Sequence, residues 1–239
     1  MSDLWRGLRA IIMKDIVVEL RARQVLPTMV VLGMLIVFIL RLAWEPASRS
    51  TTGPIMGAAA LWIAFLFSGL LAQERSFAAE QQNGCTDGLL LCPLDVGTIY
   101  LAKLLANVIV LAIFEAVVMP IVVIAFDLHV HGGWWRLPVV LLLGNLGISS
   151  VGTLFSAAVQ LTRTRGALLS IVVLVILMPM MIPASFALLV LFGAMSDQVV
   201  GSSAFAFVGS FPAAVGYMLA FDAVFVVACW LLFGVVVEE

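Results

Sequence analysis

Apolar and polar positions alternate along this chain on the scale of whole membrane thicknesses. Six long apolar runs, 25–44, 54–72, 99–126, 137–160, 167–192 and 211–237, are separated by shorter stretches that carry most of the charge. A hydrocarbon layer of roughly 30 Å is crossed by about 20 apolar residues in helical conformation, so each run predicts a transmembrane helix. The third and sixth exceed that minimum and predict tilt or bending. The expected fold class is an all-α integral membrane protein with six transmembrane helices forming one transmembrane domain over 1–239.

Residues 1–24 follow a different period. Leu4, Leu8, Ile11 and Ile12 recur at helical spacing among Arg6, Arg9 and Lys14, which predicts an interfacial amphipathic helix. Asp15 and Glu19 fall one turn apart on its apolar side, which points to a protein surface there rather than lipid, with snorkelling to water as the alternative. Five basic residues precede the first apolar run, too long a leader for a cleaved secretory signal, so the segment is expected to be retained.

Within the runs, small residues gather on single faces. Gly53, Gly57, Ala60, Ala64, Ser68 and Ala72 do so in the second run, and Ser149, Gly152, Thr153 and Ser156 in the fourth. Both seams permit close backbone approach, within the chain or between subunits. Gly144, Asn145 and Gly147 are expected to add flexibility and a hydrogen-bonding amide to the fourth run. Pro120 in the third run, with Pro179 and Pro183 in the fifth, removes backbone hydrogen bonds and predicts bends.

Composition sharpens this picture. Hydrophobic residues make up 64% of the 239 and charged residues 11%, so water is not the solvent for most of the surface. A net charge of -2 supplies no basic field, which argues against nucleic acid as a partner. Cys85, Cys92 and Cys229 lack the paired spacing of a zinc or redox site, and no disulfide framework is indicated.

Charge position is more informative than its sum. Arg6, Arg9, Lys14, Arg21, Arg23, Arg75, Lys103, Arg163 and Arg165 fall on one side of the predicted spans, against Arg41, Arg49 and Arg136 on the other. Retention of positive charge on the cytoplasmic side places both termini there. Segment 193–210 lacks Lys and Arg and is assigned to the outside as a connector, drawn as a short hairpin dipping into the interface. Trp44, Trp62, Trp134, Trp135 and Trp230 are read as interfacial anchors.

Candidate chemistry concentrates in the cytoplasmic stretch 73–98. A charged helical segment is broken at Gly84, and a short apolar piece containing Leu89, Leu90 and Leu91 ends before Pro93. Leucines this exposed at a membrane surface call for a covering partner. Two acids, Glu115 and Asp222, lie inside spans, each eleven residues from its outer boundary at 126 or 211, roughly 16 Å deep at the helical rise. They are expected to share a level and to face one polar interior, either bonded to a neighbouring group as structural elements or acting in transport. His129 and His131 lack a third ligand and are read as surface residues, so no metal site is assigned. The two lysines, Lys14 and Lys103, follow no glycine-rich phosphate loop, so energy must come from another polypeptide or an ion gradient.

The order Glu74, Arg75, Phe77, Glu80, Gly84, Leu89, Leu90, Pro93, Asp95, Tyr100, Lys103 and Asn107 resembles the coupling loop of ABC-2 type permeases. With Gly152-Thr153-Leu154, Phe221-Asp222, Phe225 and the acidic end Glu238-Glu239, nearly the whole chain is similar to the CcmB family of haem exporter permeases. Asp87 stands where the broader pattern more often has glutamate. The resemblance implies a type V exporter-like, non-catalytic subunit in a bacterial inner membrane. Its implied partners are a second copy of itself, the ATPase CcmA holding ATP, the haem-handling subunits CcmC and CcmD, the haem chaperone CcmE and membrane lipids. Residues Glu74 to Asp95 of that order would then couple to the ATPase, with haem as possible cargo rather than a resident cofactor. Two rivals remain: a secondary transporter using Glu115 and Asp222 as proton or cation sites, and a non-transporting scaffold coupling ATP hydrolysis to haem handover.

Overall fold

The structure is a computed structural model that describes residues 2–22, 25–44, 49–82, 96–162, 166–196 and 208–238. Seven helices account for nearly all of them: α1 Ser2–Ala22, α2 Val25–Ala43, α3 Arg49–Gln82, α4 Val96–Ala125, α5 Arg136–Thr162, α6 Gly166–Leu191 and α7 Phe211–Glu238. Six, α2 to α7, contain stretches long and apolar enough to cross a membrane, and their ends agree with the sequence reading to within four residues. The helix of α4 continues through Pro120, and that of α6 through Pro179 and Pro183.

Burial runs opposite to hydropathy. The spanning stretch of α5 has a mean hydropathy of 1.7 and is 72% buried, whereas those of α2 and α7, at 2.5 and 2.3, are only 22% buried. In water the most apolar helix would sink to the centre. In lipid the centre is where polar groups find partners, so the least apolar helix belongs there. Helix α5 accordingly packs on α3, α4, α6 and α7. Residues such as Phe38 of α2, Ile124 of α4 and Val224 of α7 turn outward.

Small residues set the helix spacing. Gly53, Gly57, Ala60, Ala64, Ser68 and Ala72 of α3 are all buried, with Gly57 against Leu128 and the Ser68 hydroxyl donating to the Met29 carbonyl of α2 at 3.2 Å. That seam is therefore intrachain packing. In α5 the glycines are receptacles rather than points of flexibility: Gly144 receives the Trp62 ring and Gly152 the Gln73 carboxamide. Trp62 is thus a core residue, not an interfacial anchor. Trp44 is buried too, donating to Thr52 Oγ1 at 2.8 Å and lying 5.7 Å from the Phe126 ring. Trp134, Trp135 and Trp230 are exposed, as anchors require.

Helix α1 lies against α4 and seats Leu8, Ile11 and Ile12 on a small cluster around Tyr100 and Leu104. Met13, Val17 and Val18 stay exposed on its other side. At the opposite end of the bundle the loop after α4 is tied to α6, where the His131 amide donates to the Leu191 carbonyl at 2.7 Å.

Candidate functional site

A four-residue spacing aligns Lys103, Asn107, Leu111 and Glu115 on one stripe of α4. Asn145, Ser149 and Thr153 form the matching stripe of α5. The two stripes meet. Asn107 Nδ2 donates to Thr153 Oγ1 at 2.9 Å, and Thr153 Oγ1 donates to the Ser149 carbonyl at 2.6 Å. Ser149 Oγ donates to Asn145 Oδ1 at 3.1 Å, and Asn145 Nδ2 is shared between the Val108 carbonyl at 3.0 Å and Glu115 Oε2 at 3.4 Å. Asn145, Ser149 and Thr153 are fully buried, so these bonds supply what lipid cannot.

At the α1 end the stripe terminates in an ion pair. Lys103 Nζ, on a side chain 2% exposed, lies 3.2 Å from Asp15 Oδ2, and Lys14 approaches the other oxygen at 3.2 Å. The expectation that Asp15 faces protein is met. Lys103, counted in the sequence as one more cytoplasmic surface charge, is instead its buried mate. A crevice of about 30 Å³, room for a water or two, opens beside this pair and is lined by Asp15, Gln73, Asn107 and Leu111 among others.

Asp222 is placed differently. It is 3% exposed, neither carboxyl oxygen has a hydrogen-bond partner among the described residues, and Oδ1 sits against Gly147 beside the Met180 sulfur. Gly147 and Asn145 are two residues apart on α5, about 3 Å along the axis but some 200° around it. Glu115 and Asp222 therefore share a level, as expected, but face opposite sides of α5 rather than one interior. The expected hydrogen bond of Asp222 to a neighbour is likewise not found.

Of the residues expected from the resemblance to couple to an ATPase, Glu74 closes the spanning stretch of α3. The helix continues to Gln82, about 12 Å further at the helical rise, carrying Arg75, Phe77 and Glu80. Gly84, Leu89, Leu90, Pro93 and Asp95, with Cys85, Asp87 and Cys92, lie outside the described residues, as does most of connector 193–210. His129 and His131 are exposed, and His131 Nδ1 pairs with the His129 carbonyl at 2.9 Å. The sequence reading missed Gln73. It is 2% exposed, donates weakly to the Ile148 carbonyl at 3.4 Å, and its Oε1 occupies the space over Gly152. The signal was available: a glutamine one residue before the charged segment, and a glycine in a polar helix with no turn to make.

Comparison with known proteins bears on the whole chain. Heme exporter protein B of Haemophilus influenzae is 32% identical over 127 residues, 53% of this chain and 57% of the relative. The proteins of the same name from Rhodobacter capsulatus and Paracoccus denitrificans are 32% and 33% identical over 109 and 123 residues, covering 49% and 56% of those relatives. The matched part of the chain thus spans about half the length of these relatives. The family model described as CcmB protein matches residues 6–230, which takes in the α1 contact, the polar stripes of α4 and α5, and Asp222. With six span-capable helices and this match along nearly its full length, the chain is a multi-pass membrane protein and belongs to the CcmB family.

Proposed function

We propose that the chain is the permease subunit of an ABC-type complex that handles haem for c-type cytochrome biogenesis, driven by a separate ATPase. Family membership and relatives named heme exporter protein B support the haem assignment. The observation that carries the mechanical part is the length of α3. It runs eight residues past the membrane-spanning stretch, from Glu74 to Gln82, and carries Arg75, Phe77 and Glu80 on that extension. A rigid helical extension continuous with a buried span conveys force to the bundle without an intervening hinge, and α3 is held to α5 by Gln73 on Gly152.

In this reading the α1 face is cytoplasmic, the membrane is the bacterial inner membrane, and the subunit itself is non-catalytic. Its partners are an ATPase of the CcmA type, a second copy of the chain, CcmC and CcmD, and the chaperone CcmE, whose haem-loaded form is released on ATP hydrolysis. The secondary-transporter rival uses Glu115 and Asp222 as proton or cation sites, and α5 standing between them means that they would act as two separate sites rather than one shared site. Glu80→Lys is the test. ATP hydrolysis by the co-purified ATPase should become uncoupled from chaperone release while the permease stays inserted. Unchanged coupling together with unchanged co-purification overturns the proposal.

A further inference from the structure

We infer that Glu115 is a proton-binding site that exchanges with one face of the membrane only, the face on which α1 lies. Glu115 is 4% exposed, and Asn145 Nδ2 approaches one carboxyl oxygen, leaving Oε1 enclosed with no partner among the described residues. Burial disfavours the charged form of a carboxyl group whose oxygen has no donor, so a bound proton, or a hydrogen bond from an entering water, lowers the cost.

The surroundings of Glu115 differ along the membrane normal. Toward α1, the crevice beside Asp15 reaches Leu111, one turn or about 6 Å from Glu115. Alongside that last turn stands the Ser149 hydroxyl, with the Thr153 hydroxyl and the Asn107 amide one turn nearer the crevice. Both hydroxyls donate within α5, and their oxygens keep acceptor capacity for an entering water, which an apolar lining would not offer. Toward the other face, Val118, Val122 and Phe126 of α4, Leu137, Val140 and Leu141 of α5, and Trp62 and Phe65 of α3 are buried in one apolar cluster. That side is packed with buried apolar side chains, Trp62 Nε1 being the polar atom among them.

Glu115 is a lone carboxyl here, since among the described residues no group of three His, Cys, Asp or Glu side chains that could hold a metal ion converges, and a single carboxyl suits a proton. The ionisable groups of described side chains on helices packed against α4 are Arg9, Lys14 and Asp15 of α1, Arg41 of α2, Glu74 of α3, Arg136 of α5, and Tyr217, Asp222 and Cys229 of α7, with Tyr100 and Lys103 on α4 itself. None is bonded to Glu115, whose recorded side-chain partner is Asn145. On deprotonation the proton leaves to water in the crevice and the carboxylate keeps the Asn145 amide as donor.

The test is infrared hydrogen–deuterium exchange on the purified full-length chain in lipid nanodiscs, following the carboxylic C=O band that Glu115→Gln removes and Glu115→Asp shifts. Thr153→Val removes a hydroxyl from the path, and Ala72→Leu fills the crevice without touching the polar stripe. Each should slow exchange of that band by about tenfold, the scale of one lost hydrogen bond to entering water. Leu141→Met, one turn away on the apolar side, should leave the rate unchanged. Should Thr153→Val not assemble, Ala72→Leu decides alone. The inference is overturned by a rate insensitive to both changes, by equal slowing in Leu141→Met, or by the absence of any Glu115-dependent carboxylic band. None of these readouts depends on ATP, haem or a partner, so failure here leaves the permease assignment standing, and the reverse.

Discussion

Glu115 and Asp222 stand at one depth in the bundle, on opposite sides of the same helix, in unlike surroundings. Glu115 has an amide donor, a run of hydroxyls behind it and a crevice within a turn. Asp222 has a sulfur atom and the bare backbone of Gly147. Depth and ionisable group are the same, so neither decides what a buried acid does. Its neighbours decide, through whether they offer donors and whether water can reach them. The polar side of α5 is stabilised by named hydrogen bonds and one ion pair. The Asp222 side is stabilised by close packing over a glycine.

The largest effect that can sharpen this contrast lies at the mouth of the polar side. Asp15→Asn takes a carboxylate from beside Lys103 Nζ, on a side chain 2% exposed, and breaking such a buried pair costs about 3 kcal/mol or more. Thermal unfolding in detergent should show a loss of that order, largely restored by exchanging the charges in Asp15→Lys with Lys103→Asp. Lys14→Met touches the same carboxylate from a side chain 43% exposed and should cost well under about 1 kcal/mol. An Asp15→Asn protein as stable as the parent would remove the ion pair from the account of the polar side.

A smaller effect separates the two acids directly. Glu115→Leu leaves the Asn145 amide with the Val108 carbonyl alone and should destabilise by about 1 kcal/mol. Asp222→Leu deletes two oxygens that have no partner among the described residues and should be neutral or stabilising. The ordering is the check, read from melting temperatures under one condition. If Asp222→Leu proves the more damaging, the dry side contains a polar contact to a group outside the described residues.

The helices were legible in the sequence because length and hydropathy suffice when the solvent is lipid, and all six spans fall where the apolar runs lie. The shared level of Glu115 and Asp222 was legible too, since helical rise converts residue count to depth. Which way each acid faces was not. That depends on the rotation of α4 and α7 about α5, fixed by Gly147 accepting Asp222 and Asn145 meeting Glu115, and both are contacts between residues distant in sequence. Trp62 misled for the same reason. An indole predicts an interface until a facing glycine, here Gly144, makes room for it in the core. The expected coupling stretch from Gly84 to Asp95 rests on its sequence pattern and on resemblance, because it lies outside the described residues.

The smallest expected effect is the most discriminating. Asp222→Asn keeps the size and polarity of the side chain and deletes the charge it could carry. A group drives a transport cycle only if it interacts differently with two states, and a charge does so when water or a partner reaches it in one state and not in the other. Asp222 is shut between Met180 and Gly147, and the crevice that reaches toward Glu115 lies across α5 from it. In this arrangement the charge has no means to differ between states, so under the proposed function the output of the assembled complex should stay within about twofold of the parent, less than half a kcal/mol in barrier. Output is to be measured beside complex yield, which separates loss of function from loss of protein. A fully assembled Asp222→Asn complex without output would show that the dry side opens during the cycle, and would move Asp222 from packing into mechanism.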